Sequence, residues 1–289
     1  MCGIAGFLER DPARRADRDA LLRMVEVLHH RGPDSGGAVV VGPAGLGMRR
    51  LSIIDLAGGF QPMSDDAEEV WIVFNGEIYN FRELARELEG EGVRLRTRSD
   101  TEVLLQLFMR HGAGCLDRLN GMFAFAAYDR RRDLFLLARD RLGIKPLFYR
   151  SGPERLWFGS ELKAILADPR VPRELDPQAV HDFLAFNYMP APLTAIQGIR
   201  QLLPGTYLAV ESGKERIVPY WELRYEPDET RGEAYWVEAV RESLDAAVKR
   251  RLVSDVPFGA FLSGGIDSSA VVAFMSRHLA RPVQTFSIG

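Results

Sequence analysis

The chain has 289 residues, which corresponds to one large or two modest domains at about 150 residues each. Hydrophobic residues make up 46% and charged residues 27%, a composition typical of globular proteins that excludes a disordered tail or a fibrous repeat. The formal net charge of −3 provides no general basic field for nucleic acid or an anionic membrane. Any polyanion that binds must therefore be small and held locally.

The cysteines, the histidines and the N-terminal segment indicate the compartment and whether disulfides or metal sites are expected. Cys2 and Cys115 are the only two cysteines, too few for a disulfide framework or a thiolate metal cluster, and they predict a reducing environment. The five histidines do not show the spacing of metal ligands. No basic segment opens a signal peptide and no apolar run reaches the roughly 18 residues of a membrane span. We therefore expect a cytoplasmic protein.

The first 160 residues predict an α+β unit. Helical periodicity indicates helices at residues 19–30, 80–88 and 101–111, and Ser99 with Glu102 has the spacing of a capping box. Asn75-Gly76 directly follows a strand and is expected to form a sharp turn. Tight turns separate the predicted strands, which favours antiparallel pairing; these strands are residues 37–41, 46–54, 70–74, 122–128, 134–138, 147–149 and 156–158.

The pattern changes after a polar, proline-containing connection. Helix, strand, helix and strand follow one another at residues 234–252, 258–262, 268–279 and 283–288, as at the opening of a doubly wound parallel sheet. The last run predicts a buried parallel strand ending at Gly289, and such a strand needs neighbours. We therefore expect this second domain to be incomplete in the chain.

Cys2 is the first candidate for chemistry. Removal of Met1 would leave an α-amino group on the cysteine itself, with an ordinary pKa of about 7.7 to 8.0. That amine suits a general base for the thiol proton, so one residue would supply both nucleophile and base. The alternative is that Cys2 is a small buried hydrophobic residue at the start of a strand.

Other polar residues supply the remaining functions of an amide-cleaving site. Asn75-Gly76 offers a side-chain amide and a backbone N–H for a developing oxyanion. A cation for an amino-acid carboxylate and anions for its ammonium are available from Arg49, Arg50, Glu77 and Asp100. Each also has a simpler explanation: an ordinary hairpin turn, solvated surface arginines and a helix cap.

Seven sequence blocks resemble the class II glutamine amidotransferase domain of glutamine-hydrolysing asparagine synthetases. Any one block is a weak signal, but their common order over about 145 residues makes chance negligible. The blocks are Met1-Cys2-Gly3-Ile4-Ala5-Gly6, His30-Arg31-Gly32-Pro33-Asp34, Arg50-Leu51-Ser52-Ile53-Ile54-Asp55, Asn75-Gly76-Glu77-Ile78-Tyr79-Asn80, Ser99-Asp100-Thr101-Glu102, Gly121-Met122-Phe123-Ala124-Phe125 and Arg139-Asp140-Arg141-Leu142-Gly143-Ile144-Lys145-Pro146-Leu147.

The resemblance implies an Ntn-hydrolase fold, in which two antiparallel sheets lie between helical layers in the order αββα. It implies that Cys2 is the nucleophile and that Asn75 and Gly76 form the oxyanion hole. Met48 departs from the pattern, since many relatives have histidine there. The implied glutamine-binding residues are Arg50, Leu51, Ile53, Ile54, Asn75, Gly76, Glu77 and Asp100.

A glycine-rich turn contains the second group of candidate functional residues. Residues 262–269, Leu-Ser-Gly-Gly-Ile-Asp-Ser-Ser, follow a predicted strand and open a helix, where backbone N–H groups and the helix dipole bind phosphate. The turn lacks the Gly-Lys-Ser/Thr end of a Walker A loop. A glycine-rich turn in which Asp267 and Ser268 only cap the helix is the alternative.

With its lead-in at residues 255–262, this turn resembles the PP-loop of N-type ATP pyrophosphatases as asparagine synthetases carry it. The resemblance implies an α/β adenine nucleotide α-hydrolase-like domain that takes ATP and Mg²⁺ as co-substrates, without a prosthetic group. Asp267 would hold Mg²⁺ through the pyrophosphate. The implied ATP-binding residues are Leu262, Ser263, Gly264, Gly265, Asp267, Ser268 and Ile288.

The sequence thus predicts a glutaminase domain at residues 1–215, a linker at 216–233 and the start of a synthetase domain at 234–289. The expected reaction is glutamine hydrolysis at Cys2, with ammonia amidating an adenylated aspartate to give asparagine, AMP and pyrophosphate. An acceptor other than aspartate and a non-catalytic glutamine- and ATP-binding regulatory module are the alternatives. The chain as given is expected to hydrolyse glutamine at most. No nucleic acid or membrane partner is expected, and a homodimer is left open.

Two further residues are set aside. Cys115 is expected to be a packed small side chain rather than a second nucleophile. Lys145 lies in a matched block, but a plain Lys-Pro turn is enough to explain it.

Overall fold

The structure is a computed structural model that describes residues 1–288. It divides into two compact units, the first formed by Met1–Glu222 and the second beginning at Leu223. The last residue of the predicted terminal strand, Gly289, lies outside the described residues.

The first unit contains five α-helices and twelve strands. Its helices are α1 (Arg18–Glu26), α2 (Phe81–Gly90), α3 (Asp100–His111), α4 (Leu162–Leu166) and α5 (Pro177–Phe186). Its strands are β1 (Gly3–Glu9), β2 (Ser35–Val41), β3 (Ala44–Arg50), β4 (Met63–Ser64), β5 (Val70–Ile78), β6 (Gly121–Asp129), β7 (Leu134–Arg139), β8 (Phe148–Ser151), β9 (Arg155–Gly159), β10 (Arg200–Gln201), β11 (Thr206–Glu211) and β12 (Lys214–Pro219).

These strands form two six-stranded sheets. The order is β10-β8-β9-β1-β3-β2 in one and β12-β11-β7-β6-β5-β4 in the other. Every pair of strands in both sheets is antiparallel, which confirms the pairing expected from the short connections.

The alternation of side chains along β1 shows how sheets and helices pack into layers. Ile4 and Leu8 belong to a core that also contains Val73 and Phe135 of the other sheet. Ala5 and Phe7, one residue out of phase, belong to a second core with helix α1. Because successive side chains of a strand point to opposite faces, both faces of β1 are covered. With α3 packed on β5, the layers are αββα, which confirms the expected fold class.

The turn predicted at Asn75 and Gly76 is wrong. They form no turn, because β5 continues through them and pairs them with Ala124 and Phe123 of β6. A Cβ on Gly76 would lie 2.2 Å from the Met122 carbonyl oxygen. The glycine therefore permits close approach of two strands rather than a positive φ angle, and the Asn-Gly pattern alone cannot distinguish these two uses.

Two other local predictions change in detail. The strand predicted to reach residue 54 ends at Arg50, so Leu51–Ile54 form a loop. Ser99 caps α3 by accepting from the Thr101 N–H. The carboxylate of Glu102 accepts instead from the N–H groups of Arg96 and Thr97, so the reciprocal half of the predicted capping box is wrong.

Strand β12 continues past residue 215, the predicted end of the first domain. Its residues Lys214–Pro219 pair with β11 throughout, so 216–219 belong to a sheet rather than to a linker.

The second unit contains α6 (Glu233–Arg250), β13 (Ala260–Phe261), α7 (Ile266–His278) and β14 (Thr285–Phe286). The two strands pair in parallel, as predicted. They span only two residues each, and Phe286 is 57% exposed, so β14 is not buried among the described residues. A two-residue pair flanked by no further strand among the described residues buries little apolar surface.

No α-helix within residues 1–288 combines the length and apolarity that crossing a membrane requires.

Candidate active site

A cavity of about 170 Å³ opens where the start of β1, the end of β3, the middle of β5 and the N-terminus of α3 meet. It brings together every residue that the family resemblance implies for catalysis or for glutamine binding in the first unit. Its lining comprises Met1, Cys2, Arg50, Leu51, Ile53, Ile54, Gln61, Phe74, Asn75, Gly76, Glu77, Ser99, Asp100, Thr101, Met122 and Lys145.

Cys2 is half-buried, and its sulfur lies against the loop that follows β3. The Leu51 N–H donates to Sγ at 3.4 Å, and the thiol lies 3.5 Å from the Leu51 carbonyl oxygen. Burial raises the pKa of the thiol, while the N–H of Leu51 and the positive charges of the terminal amine, Arg50 and Lys145 oppose that rise. The sulfur is thus held beside a donor and several cations, a setting in which a thiolate can form.

The edge of β5 presents a row of N–H groups to the cavity. The N–H of Phe74 donates to Oε1 of Gln61 at 2.7 Å, and that of Ile78 donates to Oδ2 of Asp100 at 3.1 Å. Alternate residues of a strand point their N–H groups to the same side. The N–H of Gly76, midway between them, therefore faces the cavity.

Asn75 supplies a second donor at the same place. Its side chain is 1% exposed, and Nδ2 is buried without a hydrogen-bond partner within residues 1–288. An unsatisfied buried donor is costly and rare in folded proteins. Nδ2 is therefore available to a group that enters the cavity.

The guanidinium group of Arg50 is buried and binds uncharged oxygens. Its NH2 group donates to the carbonyls of Ile54 and Asp55 at 2.9 and 2.8 Å. A Cβ on Gly59 would lie 2.4 Å from this nitrogen, so the loop closes tightly around it. None of the ion pairs found in the described part of the chain involves Arg50. A cation held by dipoles in this way retains its charge for an anion.

Asp100 lies at the first position of α3, and its carboxyl group is buried. Burial raises its pKa to about 7, the N–H of Ile78 opposes this rise, and the nearby charge of Glu77 adds to it. Two carboxyl groups in one partly desolvated site repel each other, and an arriving cation would relieve this repulsion.

Several lining residues were not among the sequence candidates. Gln61 had no signal, because it lies outside every matched block. Thr101, Met122 and Lys145 lie inside matched blocks, so the motifs could have indicated them. Gln61 connects two walls of the cavity, since its Nε2 donates to Oγ1 of Thr101 at 3.1 Å while its Oε1 accepts from β5.

Arg31 fixes the main chain at Cys2. Its Nε donates to the Cys2 carbonyl at 2.9 Å, and its NH1 donates to Glu161 at 3.0 Å. Arg49, a candidate cation for the carboxylate, lies elsewhere and is paired with Glu26. Cys115 is fully buried, which raises its pKa to about 12. The expectation that Cys115 is a packed side chain is confirmed.

The second unit presents the glycine-rich turn between β13 and α7, in the strand-turn-helix context that was predicted. Gly264 has a φ of +80° and open space at its Cβ position. Ser263 and Ser268 approach each other to 3.0 Å between hydroxyl oxygens. Asp267 is exposed in the first turn of α7, and Ile288 is also exposed. Backbone N–H groups and hydroxyl groups at a 13-residue helix suit a nucleotide phosphate, with Asp267 able to ligate Mg²⁺.

Comparison with known proteins agrees with the fold. A solved glutamine phosphoribosylpyrophosphate amidotransferase from B. subtilis, complexed with ADP and GMP, superposes with a TM-score of 0.55. The match covers 98% of this chain and 65% of the other at 18% identity. The first unit thus has the fold of the Ntn-type glutamine amidotransferases.

Two protein-family models match the chain. The Glutamine amidotransferase domain family matches residues 1–221, and the Asparagine synthase family matches residues 239–289. The chain belongs to the glutamine amidotransferase domain family.

Three relatives show the range of similar proteins. Asparagine synthetase [glutamine-hydrolyzing] 1 of Bacillus subtilis is 38% identical over 100% of this chain and 46% of its own length. Asparagine synthetase [glutamine-hydrolyzing] of Asparagus officinalis is 36% identical over 97% and 42%, and Amidase chyE of Penicillium rubens is 36% identical over 96% and 43%. The chain therefore spans less than half the length of these relatives.

Proposed function

We propose that the first unit hydrolyses glutamine to glutamate and ammonia at Cys2. One observation carries the proposal: the cavity holds the Cys2 sulfur together with the unpartnered Nδ2 of Asn75 and with opposite charges from Arg50 and Asp100. A nucleophile, an oxyanion donor and a zwitterion-binding pair are what cleavage of an amino-acid side-chain amide needs.

The chemistry begins with a proton transfer. After removal of Met1, the amine of Cys2 takes the thiol proton, and the sulfur attacks the γ-carbonyl carbon of glutamine. The amine then gives that proton to the departing nitrogen, so ammonia leaves as the C–N bond breaks and a γ-glutamyl thioester remains. Water, deprotonated by the same amine, hydrolyses the thioester to glutamate and restores the thiol.

The oxyanion of each tetrahedral intermediate binds between Nδ2 of Asn75 and the N–H of Gly76. Both donors are rigid, because Asn75 and Gly76 lie inside a strand paired with β6. Donors fixed in place stabilise developing charge without reorganisation, and loss of one typically costs about 10²- to 10³-fold in kcat.

Arg50 and Asp100 orient the substrate from its amino-acid end. Arg50 binds the α-carboxylate, while Asp100 and Glu77 bind the α-ammonium group. Leu51, Ile53 and Ile54 form the wall beside the aliphatic part of glutamine. Binding at both charged ends places the side-chain amide at Cys2.

We further propose that ammonia from this site amidates aspartate, activated by ATP as an adenylate, with asparagine, AMP and pyrophosphate as products. The match of residues 239–289 to the Asparagine synthase family and the names of similar proteins support this. In this proposal the linker begins after β12, and the Leu262–Ser268 turn with Ile288 and Asp267 takes ATP and Mg²⁺. A different carboxylate acceptor is the second candidate, because similar proteins also include amidases.

Glutamate release from glutamine tests the first step. The 289-residue chain is compared with Cys2→Ala and with Cys115→Ala, the matched variant at the other cysteine. Removal of the N-terminal methionine is checked by mass spectrometry. We expect glutamate release from the wild type and from Cys115→Ala, and none from Cys2→Ala. Undiminished release by Cys2→Ala would refute the assignment of the nucleophile.

A further inference from the structure

Lys145 is the one lysine among the buried residues of the described chain. It is 6% exposed and lines the cavity that contains Cys2. Lysine is almost never buried unless a partner compensates its charge. Its neighbours in the same loop show the opposite pattern, since Leu142 and Ile144 are 69% and 52% exposed. A loop that exposes its apolar residues and buries its ammonium group is not explained by a plain Lys-Pro turn.

The backbone of Lys145 is held in place from both sides. Its N–H donates to Oδ2 of Asp140 at 3.0 Å, and its carbonyl accepts from Nε of Arg139 at 2.8 Å. Arg139 also donates to the carbonyls of Leu202 and Gly143. Because these bonds already fix the turn, the buried position of the lysine side chain calls for a separate reason.

The charges around this side chain supply that reason. Burial lowers the pKa of Lys145, whereas the negative charges of Glu77 and Cys2 raise it. In return, Lys145 is one of the cations that lower the pKa of the Cys2 thiol and of the Met1 amine. The charged and titratable groups that act on Lys145, Cys2 and the amine are Arg31, Asp34, Arg50, Glu77 and Asp140.

We propose that Lys145 is a further residue of the glutaminase site, whose buried ammonium group stabilises negative charge on the Cys2 sulfur. The inference rests on the proposed hydrolysis at Cys2. This effect favours the state in which the sulfur can attack. In this proposal Lys145 acts through its charge alone, and no proton is transferred at this residue.

Alkylation of Cys2 as a function of pH tests this without any need for turnover. The 289-residue chain is treated with iodoacetamide, and the modified N-terminal peptide is quantified by mass spectrometry. We expect Lys145→Met to move the midpoint of the rate profile about one pH unit higher, which is about tenfold slower alkylation at neutral pH. Lys145→Arg retains the charge and should stay near the wild type. Lys214→Met, at an exposed lysine of β12, is the matched control.

The pH profile of kcat/KM for glutamine should show the same displacement of its acidic limb in Lys145→Met. An unmoved alkylation midpoint in folded Lys145→Met would overturn the proposal. Lys145→Gln carries the same expectation as Lys145→Met, and failure of both variants to fold would assign the lysine a structural role instead. If the wild type releases no glutamate, hydrolysis at Cys2 is refuted, while the alkylation profile still decides the role of Lys145.

Discussion

The N–H of Ile78 donates to the carboxylate of Asp100 across 3.1 Å, joining strand β5 to the N-terminus of helix α3. This bond offsets only part of the effect of burial, which keeps the pKa of Asp100 at about 7. A carboxyl group with this pKa changes its charge in the range where the protein would work.

Asp100 should therefore make stability depend on pH. Its pKa is about 7 in the folded protein against 3.8 ordinarily, so between these values the folded state binds more protons than the unfolded state. Its contribution to stability falls as pH rises through this window, on the order of 1 kcal/mol per pH unit, and is constant above it. We expect Asp100→Asn to be more stable than the wild type at pH 8, with a smaller difference at pH 5. Urea denaturation at both pH values measures this, and a difference independent of pH would contradict it.

The same variant should bind glutamine more weakly. The KM for glutamine is expected to rise in Asp100→Asn, and to rise more at pH 8 than at pH 6, because the wild-type carboxyl group is largely protonated at the lower pH. Steady-state glutamate release gives the ratio of the variant's KM to the wild-type KM at each pH. An equal ratio at both pH values would show that the charge of Asp100 does not contribute.

Two adjacent arginines provide a matched pair for substrate binding. Arg50 lines the cavity, while Arg49 is paired with Glu26 outside it. Hydrogen bonds to a charged group are worth about 1.5 to 3 kcal/mol, so Arg50→Met should raise the KM for glutamine about 10- to 100-fold. Arg49→Met should leave KM within about twofold. Equal effects of the two variants would remove Arg50 from the site.

Gly76 should not tolerate a methyl group. A Cβ would lie 2.2 Å from the Met122 carbonyl oxygen and 2.7 Å from Cα of Phe123, both backbone atoms of β6. Gly76→Ala is expected to destabilise the chain by about 1 to 3 kcal/mol and to reduce glutamate release by displacing the donor beside Asn75. Thermal unfolding and kcat check the two effects. Gly90→Ala, at a helical glycine with open space, is the control and should lower neither stability nor kcat.

Stability of the first unit should depend strongly on Arg155. Its fully buried side chain pairs with Glu9 and, at 2.7 Å, with Asp168, and it stacks on the ring of Phe7 at 3.5 Å. Arg155→Met leaves the buried Glu9 with only a long pair to Arg14 at 3.9 Å, while Asp168 keeps its pair with Arg170 at 2.8 Å, and this should cost about 3 kcal/mol. Arg216→Met, which breaks an exposed pair with Glu211, should cost under about 1 kcal/mol. Urea denaturation followed by circular dichroism compares the two.

Much of the fold follows from local patterns in the sequence. Periodicities of 3.6 and 2 predicted most helices and strands of the first unit, and short connections predicted antiparallel sheets. The ordered motifs also identified the residues that meet at the cavity, although Cys2 and Asp100 are far apart in the chain. These predictions succeeded because side-chain periodicity and turn length are local properties.

Only the tertiary structure decided three features of the site. Asn75-Gly76 has the pattern of a turn, but β6 pairs with it and makes it a strand. Arg49 and Arg50 are equivalent in sequence, but only Arg50 faces the cavity, because neighbouring residues of β3 point to opposite sides. Lys145 looks like part of an ordinary turn, and its burial beside Cys2 depends on residues distant in the chain. In each case the deciding force is packing or charge from another strand, which the local sequence does not contain.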